Sequence, residues 1–172
     1  MASEAKALFL DRDGTLIVDV GYPRDPAQVT LIDGAVEALR AAKALGYQLI
    51  IISNQSGVGH GLIRPEEAAR VQERVAELLA EQGVVLDAAY FCPHAPDDAC
   101  SCRKPSPEML LSAARDRSLE LSRSVMVGDK ASDVEAGRAA GCKTVLYGTD
   151  ARIAADLVTP SWSAILSQLA VW

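Results

Sequence analysis

Two aspartates one residue apart, Asp11 and Asp13, stand directly after the apolar run Ala7-Leu8-Phe9-Leu10, and Gly14-Thr15 follow them. A third, Asp129, follows a second apolar run that starts near residue 124. Carboxylates gathered this way repel unless a cation sits among them. A hard divalent ion with oxygen ligands resolves the conflict. Mg²⁺ is the usual choice beside a phosphate, because it needs few protein ligands and keeps its waters. With a phosphate ester in place, Asp11 could attack phosphorus in line and form an aspartyl-phosphate. Asp13 would protonate the leaving oxygen and later take a proton from the attacking water, help worth about 10²–10⁴-fold. The amides of the Asp13–Gly14 turn, the Ser53 hydroxyl and the Lys104 ammonium would hold the transferring oxygens. Taken alone, Asp11-Arg12-Asp13-Gly14 also fits an ordinary turn.

A second cluster of reactive types lies in "CPHAPDDACSC", residues 92–102. Cys92 and His94 form one pair, Cys100 and Cys102 the other, with five residues between the pairs. Three thiolates and an imidazole suit a closed, tetrahedral, structural Zn²⁺ site, although the one-residue spacing within each pair departs from the commoner two to four. The alternative is a loop of free thiols. Cys102 directly precedes Arg103-Lys104, so a zinc staple would reduce the entropy cost of aiming Lys104 at a phosphate. Cys142 lies outside the cluster and reads as a buried thiol at a helix–strand junction. His60, in a glycine-rich loop, is assigned no role beyond solvent contact.

The elements that must position these groups alternate along the chain. Strands are expected at 7–10, 47–53, 88–92, 124–128 and 143–148. Helices are expected from Asp33-Gly34 to Gly46, from Pro65 to about Gln82, from Ser106-Pro107 to about Arg117, over 131–141, and from Thr159-Pro160 onward. A βαβα rhythm implies an α/β fold with a mainly parallel sheet and helices on both faces. In such sheets ligands bind beyond the carboxyl ends of the strands. The segments there are Asp11–Thr15, Ser53-Asn54-Gln55-Ser56-Gly57, Cys92-Pro93-His94 with the later Arg103-Lys104-Pro105, and Gly128-Asp129-Lys130. Polar groups thus converge from four places on one edge, which an ordinary turn does not predict.

"FLDRDGTL", "ISNQSG", "CRKP" and "VGDKASD" together resemble, in order and over nearly the whole chain, the four motifs of haloacid-dehalogenase-type phosphatases. The resemblance implies a Rossmann-like three-layer sandwich, Asp11 as nucleophile and Asp13 as acid/base. It implies Mg²⁺ on the Asp11 and Asp129 carboxylates and on the main-chain oxygen of Asp13. Ser53 and Lys104 would bind the phosphoryl group, Asn54 would orient the loop, and Asp133 would steady the site near Lys130. "DRDGT" with the cysteine loop narrows the likeness to the zinc-containing subfamily without a large cap domain. That subfamily acts on heptose 1,7-bisphosphate, a surface-glycan precursor, or on histidinol phosphate. "DVGY" followed by "LIDGAVEAL" favours the heptose substrate, with histidinol phosphate the alternative; the short spacer in the zinc loop leans the other way. On this reading Asp19, Gly21 and Tyr22 grip sugar hydroxyls, while Gln55 and Ser56 line the substrate site. The resemblance also brings Arg103 and Lys130 to the substrate. Arg24 is expected at the surface.

Bulk properties agree. The 172 residues suit one domain, 1–172, and 49% are apolar, enough for a core. A net charge of −6 and a pI near 4.9 argue against a nucleic-acid partner, which wants a basic face, without excluding a phosphorylated small molecule. No apolar run reaches the roughly 20 residues of a membrane helix and no targeting segment is visible, so a cytoplasmic protein is expected. The absence of GxxxxGK[ST] disfavours an ATP-using kinase. Acidity and the lack of a heptad lean to a monomer. The rival readings are a zinc-stapled binding module and phosphotransfer to another acceptor.

Overall fold

Residues 5–172 are described by a computed structural model. In β1 (Lys6–Leu10) side chains leave the strand on alternate sides, and both sides are buried. Leu8 and Leu10 pack into one apolar cluster, Ala7 and Phe9 into another. β2 (Tyr47–Asn54) repeats the pattern, with Leu49 and Ile51 on one face and Ile50 and Ile52 on the other. A strand buried on both faces reads as a continuous apolar run, the signature of a parallel sheet.

The sheet has six strands, all parallel, in the order β3-β2-β1-β4-β5-β6. The further strands are β3 (Ala88–Cys92), β4 (Val125–Gly128), β5 (Lys143–Tyr147) and β6 (Leu157–Thr159). On the first face lie α1 (Ala35–Ala44), α3 (Pro65–Glu81) and α6 (Trp162–Leu169). On the second lie α4 (Glu108–Arg117) and α5 (Ala131–Ala140). The architecture is therefore the expected three-layer α/β sandwich. α1 shows why its sequence forms a helix against a sheet. Ala35, Ala38, Leu39 and Ala42 are its buried residues, and they recur at the helical period. α3 starts at Pro65, where a missing amide costs nothing, and the Glu67 carboxylate accepts from the Arg64 amide at 2.9 Å.

Two elements differ from the sequence expectation. β6 reads as the start of the last helix, because Thr159-Pro160 resembles a cap. Thr159 instead pairs with Tyr147 in the sheet, and the helix begins after Ser161, whose hydroxyl accepts from the Ala164 amide. A further short helix, α2 (Ser56–Gly59), occupies what reads as an irregular polar loop. Between β1 and α1 the chain makes loop and turns, the isolated bridges of Ile17 to Asp13 and Leu31, and a single 3-10 turn, Pro26–Gln28. Between β2 and β3 it makes α2 and α3. No helix among the described residues is long and apolar enough to cross a membrane.

The chain runs from β1 outward to β2 and β3, then returns to place β4 on the other side of β1. The crevice between the carboxyl ends of β1 and β4 is thus the topological switch point where parallel sheets bind ligands. Asp11 and Asp129 stand at that crevice, and the Asp11 amide donates to the Val127 carbonyl at 2.9 Å. At the end of β4 the backbone runs so close to α5 that a Cβ on Gly128 would fall 2.3 Å from Asp133 Cβ. Gly128→Ala is therefore expected to push α5 off the sheet and cost about 1–3 kcal/mol. A urea midpoint unchanged from the parent protein would show that this close approach is not required.

Candidate active site

The Lys104 ammonium is buried and has an acceptor for each of its three protons: Asp11 Oδ1 at 2.8 Å, the Ile52 carbonyl at 2.7 Å and Asp133 Oδ1 at 2.6 Å. Burial alone would lower its pKa, but Asp11 and Asp133 outweigh burial, and the group sits above its ordinary value. Lys104 is in turn held by its main chain. Asn54 Nδ2 donates to the Lys104 carbonyl at 3.1 Å, and the Lys104 amide donates to Asn54 Oδ1 at 3.0 Å. One amide side chain at the end of β2 thus grips the loop as a neighbouring strand would.

Asp133 has both oxygens engaged, Oδ1 by Lys104 and Oδ2 by the Lys130 amide at 3.0 Å. Asp129 differs: its Oδ1 is buried with no hydrogen-bond partner. Its carboxylate lies against Gly14, where φ is +83° and a Cβ would come within 2.5 Å of Asp129 Oδ2. Only glycine admits both that backbone and that approach. Carboxylate oxygens of Asp11, Asp129 and Asp133 all come within 4.8 Å of one another. Burial and the neighbouring Asp11 carboxylate push Asp129 up to about 7. Two buried cations stand beside these carboxylates, Arg12 on Asp13 and Lys104 on Asp11 and Asp133, while Asp129 Oδ1 has no partner. A divalent cation on the orphaned Asp129 oxygen and on Asp11 fits this donor set.

Two cavities open here and share Asp13, Asn54, Ser56 and Lys130. The smaller, about 100 Å³, also touches Asp11, Arg103 and Lys104. The larger, about 300 Å³, is walled further by Asp19, Gly21, Tyr22 and Gln55. Asp19 shapes its own turn by accepting from the Gly21 amide at 2.9 Å. Ser53 is placed differently from the other residues singled out in the sequence. It is fully buried, its hydroxyl accepts from Gln55 Nε2 at 2.7 Å, and it borders neither cavity. Arg24 is exposed and borders neither. His60 meets the Tyr22 ring edge-on at 6.4 Å, a contact its loop context does not reveal. Sequence reasoning also missed Ser132 in the smaller cavity, although its place in the first turn of α5, two residues after Lys130, points there.

The cysteine cluster assembles as the spacing predicts. One ligand atom each from Cys92, His94, Cys100 and Cys102 comes within 4.8 Å of the others. Cys92 Sγ is 3.7 Å from Cys100 Sγ and 2.9 Å from Cys102 Sγ, and His94 Nδ1 lies 3.4 Å from Cys92 Sγ and 3.3 Å from Cys102 Sγ, so the ligands are gathered somewhat tighter than a bound ion would hold them. Ligands about 2.3 Å from a shared zinc in tetrahedral geometry stand about 3.7 Å apart. Burial and the neighbouring Cys102 thiol push Cys92 up to about 12, a thiol that ionises only with a cation to compensate it. The four ligands enclose the site, so it can hold a structural ion. Cys142 is the isolated buried thiol expected, pushed up to about 12 by burial.

Comparison with known proteins agrees with this geometry. A family model described as HAD-hyrolase-like matches residues 101–170. D-glycero-beta-D-manno-heptose-1,7-bisphosphate 7-phosphatase of Pasteurella multocida (strain Pm70) is 43% identical over 158 residues, covering 88% of this chain and 86% of that protein. The enzyme of the same name from Helicobacter pylori (strain J99) is 44% identical over 150 residues, covering 87% of this chain and 86% of its own. The crystal structure of D,D-heptose 1,7-bisphosphate phosphatase from B. bronchiseptica, complexed with magnesium and phosphate, matches with a TM-score of 0.88 at 30% identity. That match covers 96% of this chain and 98% of the other.

Because a cation must bind the ionised cluster, its affinity should fall as pH drops through the raised value of Asp129, about 7. Calorimetric titration with Mg²⁺ is expected to show binding about tenfold weaker at pH 6 than at pH 8. Equal affinity at the two pH values would remove Asp129 from the ligand set.

Proposed function

The chain belongs to the haloacid-dehalogenase-like phosphatases, and from that membership we propose that it hydrolyses the 7-phosphate of D-glycero-D-manno-heptose 1,7-bisphosphate. The observation that carries the proposal is a buried Asp11–Lys104–Asp133 cluster opening into a larger sugar-sized cavity, in a chain 43% identical to a phosphatase named for that substrate. The relatives' names specify the β anomer.

The phosphoryl group enters the smaller cavity, where Arg103 and Lys130 offset its charge. The heptose body lies in the larger one, against the Asp19–Tyr22 loop. Lys104 holds Asp11 Oδ1, which orients the carboxylate. Asp11 attacks phosphorus as the bond from phosphorus to O7 breaks, and Asp13 gives its proton to the departing oxygen. An aspartyl-phosphate results. Asp13 then takes a proton from water as that water attacks phosphorus, which frees Asp11 and releases inorganic phosphate. A Mg²⁺ held by the Asp11 and Asp129 carboxylates and the Asp13 carbonyl would supply charge neutralisation for the phosphoryl oxygens. Zn²⁺ on Cys92, His94, Cys100 and Cys102 would be structural, stiffening the segment that delivers Arg103 and Lys104. Ser53 would act through Gln55, which its hydroxyl anchors. In the same reading residues 1–172 work as one domain, a cytoplasmic monomer.

Steady-state kcat/KM for both anomers of heptose 1,7-bisphosphate and for histidinol phosphate tests the substrate. A preference of at least about a hundredfold for one heptose anomer is expected, given losses of this size when polar site groups go unmatched. Comparable rates with histidinol phosphate would overturn the assignment. Asp11→Asn should abolish turnover while isothermal titration still detects substrate; residual activity above about one part in a hundred would move the nucleophile elsewhere. Cys100→Ser should lose zinc by elemental analysis and unfold at lower temperature. Full zinc content in that variant would refute the ligand set.

A further inference from the structure

Arg12 lies between the two aspartates read as catalytic, yet its side chain is only 1% exposed. Its carbonyl accepts from the amides of Thr15, Leu16 and Ile17, at 3.3, 2.9 and 3.1 Å, so the turn after β1 closes on this residue and fixes where its side chain starts. Arg12 Nη2 reaches both oxygens of Asp13, Oδ1 at 3.3 Å and Oδ2 at 3.2 Å. Gln55 Nε2 donates to Asp13 Oδ2 at 2.8 Å while also holding Ser53. Asp13 is thus clamped from behind by a cation and an amide, with 15% of its side chain left open toward the cavities.

Stability does not explain this arrangement. Arg12 Nε and Nη1 are buried without hydrogen-bond partners, and the wall it shares is mainly apolar, with Val58, Ala68, Phe91 and Pro93 beside Gln72 and Glu73. A buried cation with unpaired N–H groups is costly, and an apolar side chain of similar size usually serves folding as well or better.

We propose that Arg12 is a positioning residue for proton transfer: with Gln55 it fixes the Asp13 carboxyl where its proton reaches the leaving oxygen as the phosphorus–oxygen bond breaks. The proposal rests on the reading of Asp13 as acid/base. It predicts a loss that depends on the leaving group, because an alkoxide must be protonated as it departs whereas p-nitrophenolate need not be.

Single-turnover cleavage is compared for an alkyl phosphate and for p-nitrophenyl phosphate. The alkyl ester is heptose 1,7-bisphosphate, or a common sugar 6-phosphate if the parent protein turns over only that, so the substrate reading can fail without settling the fate of Arg12. Arg12→Met should retain or raise the melting temperature, cut the alkyl ester rate about a hundredfold and cut the aryl ester rate by less than about threefold. Arg12→Lys, which keeps a charge and one reachable oxygen, should recover part of the alkyl rate. If Arg12→Met does not fold, Arg12→Lys carries the test with a smaller but still selective loss. Equal losses on the two esters, or none on either, would overturn the proposal.

Discussion

Lys104 Nζ has three acceptors, and two of them are carboxylates that reach it from β1 and from the start of α5. Without that ammonium, Asp11 and Asp133 would stand as buried like charges with no compensation, at a cost of several kcal/mol per ion. The cluster is therefore conditional on a residue that arrives from a loop rather than from the sheet. Three devices deliver it. The reciprocal bonds of Asn54 fix its main chain, the Cys102 thiol two residues earlier is tied into the cysteine–histidine cluster, and the Arg103 guanidinium donates to the His94 carbonyl at 3.3 Å. The cysteine–histidine cluster and the carboxylate cluster are thus parts of one mechanical chain, although they share no residue.

The same charge accounting explains why the first turn is built around glycine. Asp129 can stand in the crevice only because Gly14 offers no Cβ and adopts a positive φ. That placement leaves one carboxylate oxygen buried and bare. A folded protein rarely strands such an atom, and a bare carboxylate oxygen beside two further carboxylates is a donor set that suits a hard cation. Asp133 lies as near, but both of its oxygens accept hydrogen bonds, from the Lys104 ammonium and the Lys130 amide.

Much of this was legible in the chain because chemistry and topology point the same way. Apolar runs such as 47–53 demand a sheet covered on both faces, and such a sheet places whatever follows its strands on one edge. Asp11, Asn54, Lys104 and Asp129 could be gathered on that ground before any coordinates. The four zinc-type ligands were equally open, since three cysteines and a histidine within one short loop suit a closed metal site better than a loop of free thiols. What stayed hidden depends on tertiary contact. β6 has three residues and a Thr-Pro ending that mimics a helix cap, so local signals mislead there. Ser53 has a hydroxyl of the right type, but its direction is set by Gln55 two residues on. Arg12 reads as a turn residue because its burial comes from α3 and the end of β3, far away in sequence.

Openness completes the logic of the site. No folded unit among the described residues covers the larger cavity, and Tyr22 on its rim is 48% exposed. Water can enter, so selectivity cannot come from enclosure and must come from parts already in place before substrate arrives. The loop shows that economy: Asp19 caps its own turn, and the Tyr22 ring packs so closely on Gly57 that a Cβ there would fall 2.8 Å from Tyr22 Cδ1. His60 meets the same ring edge-on. An exposed loop braced at both ends loses little entropy on binding a polar sugar. Under the proposed function, that bracing would let a site uncovered among the described residues discriminate among phosphate esters, while the buried charges behind it would carry out a reaction common to all of them.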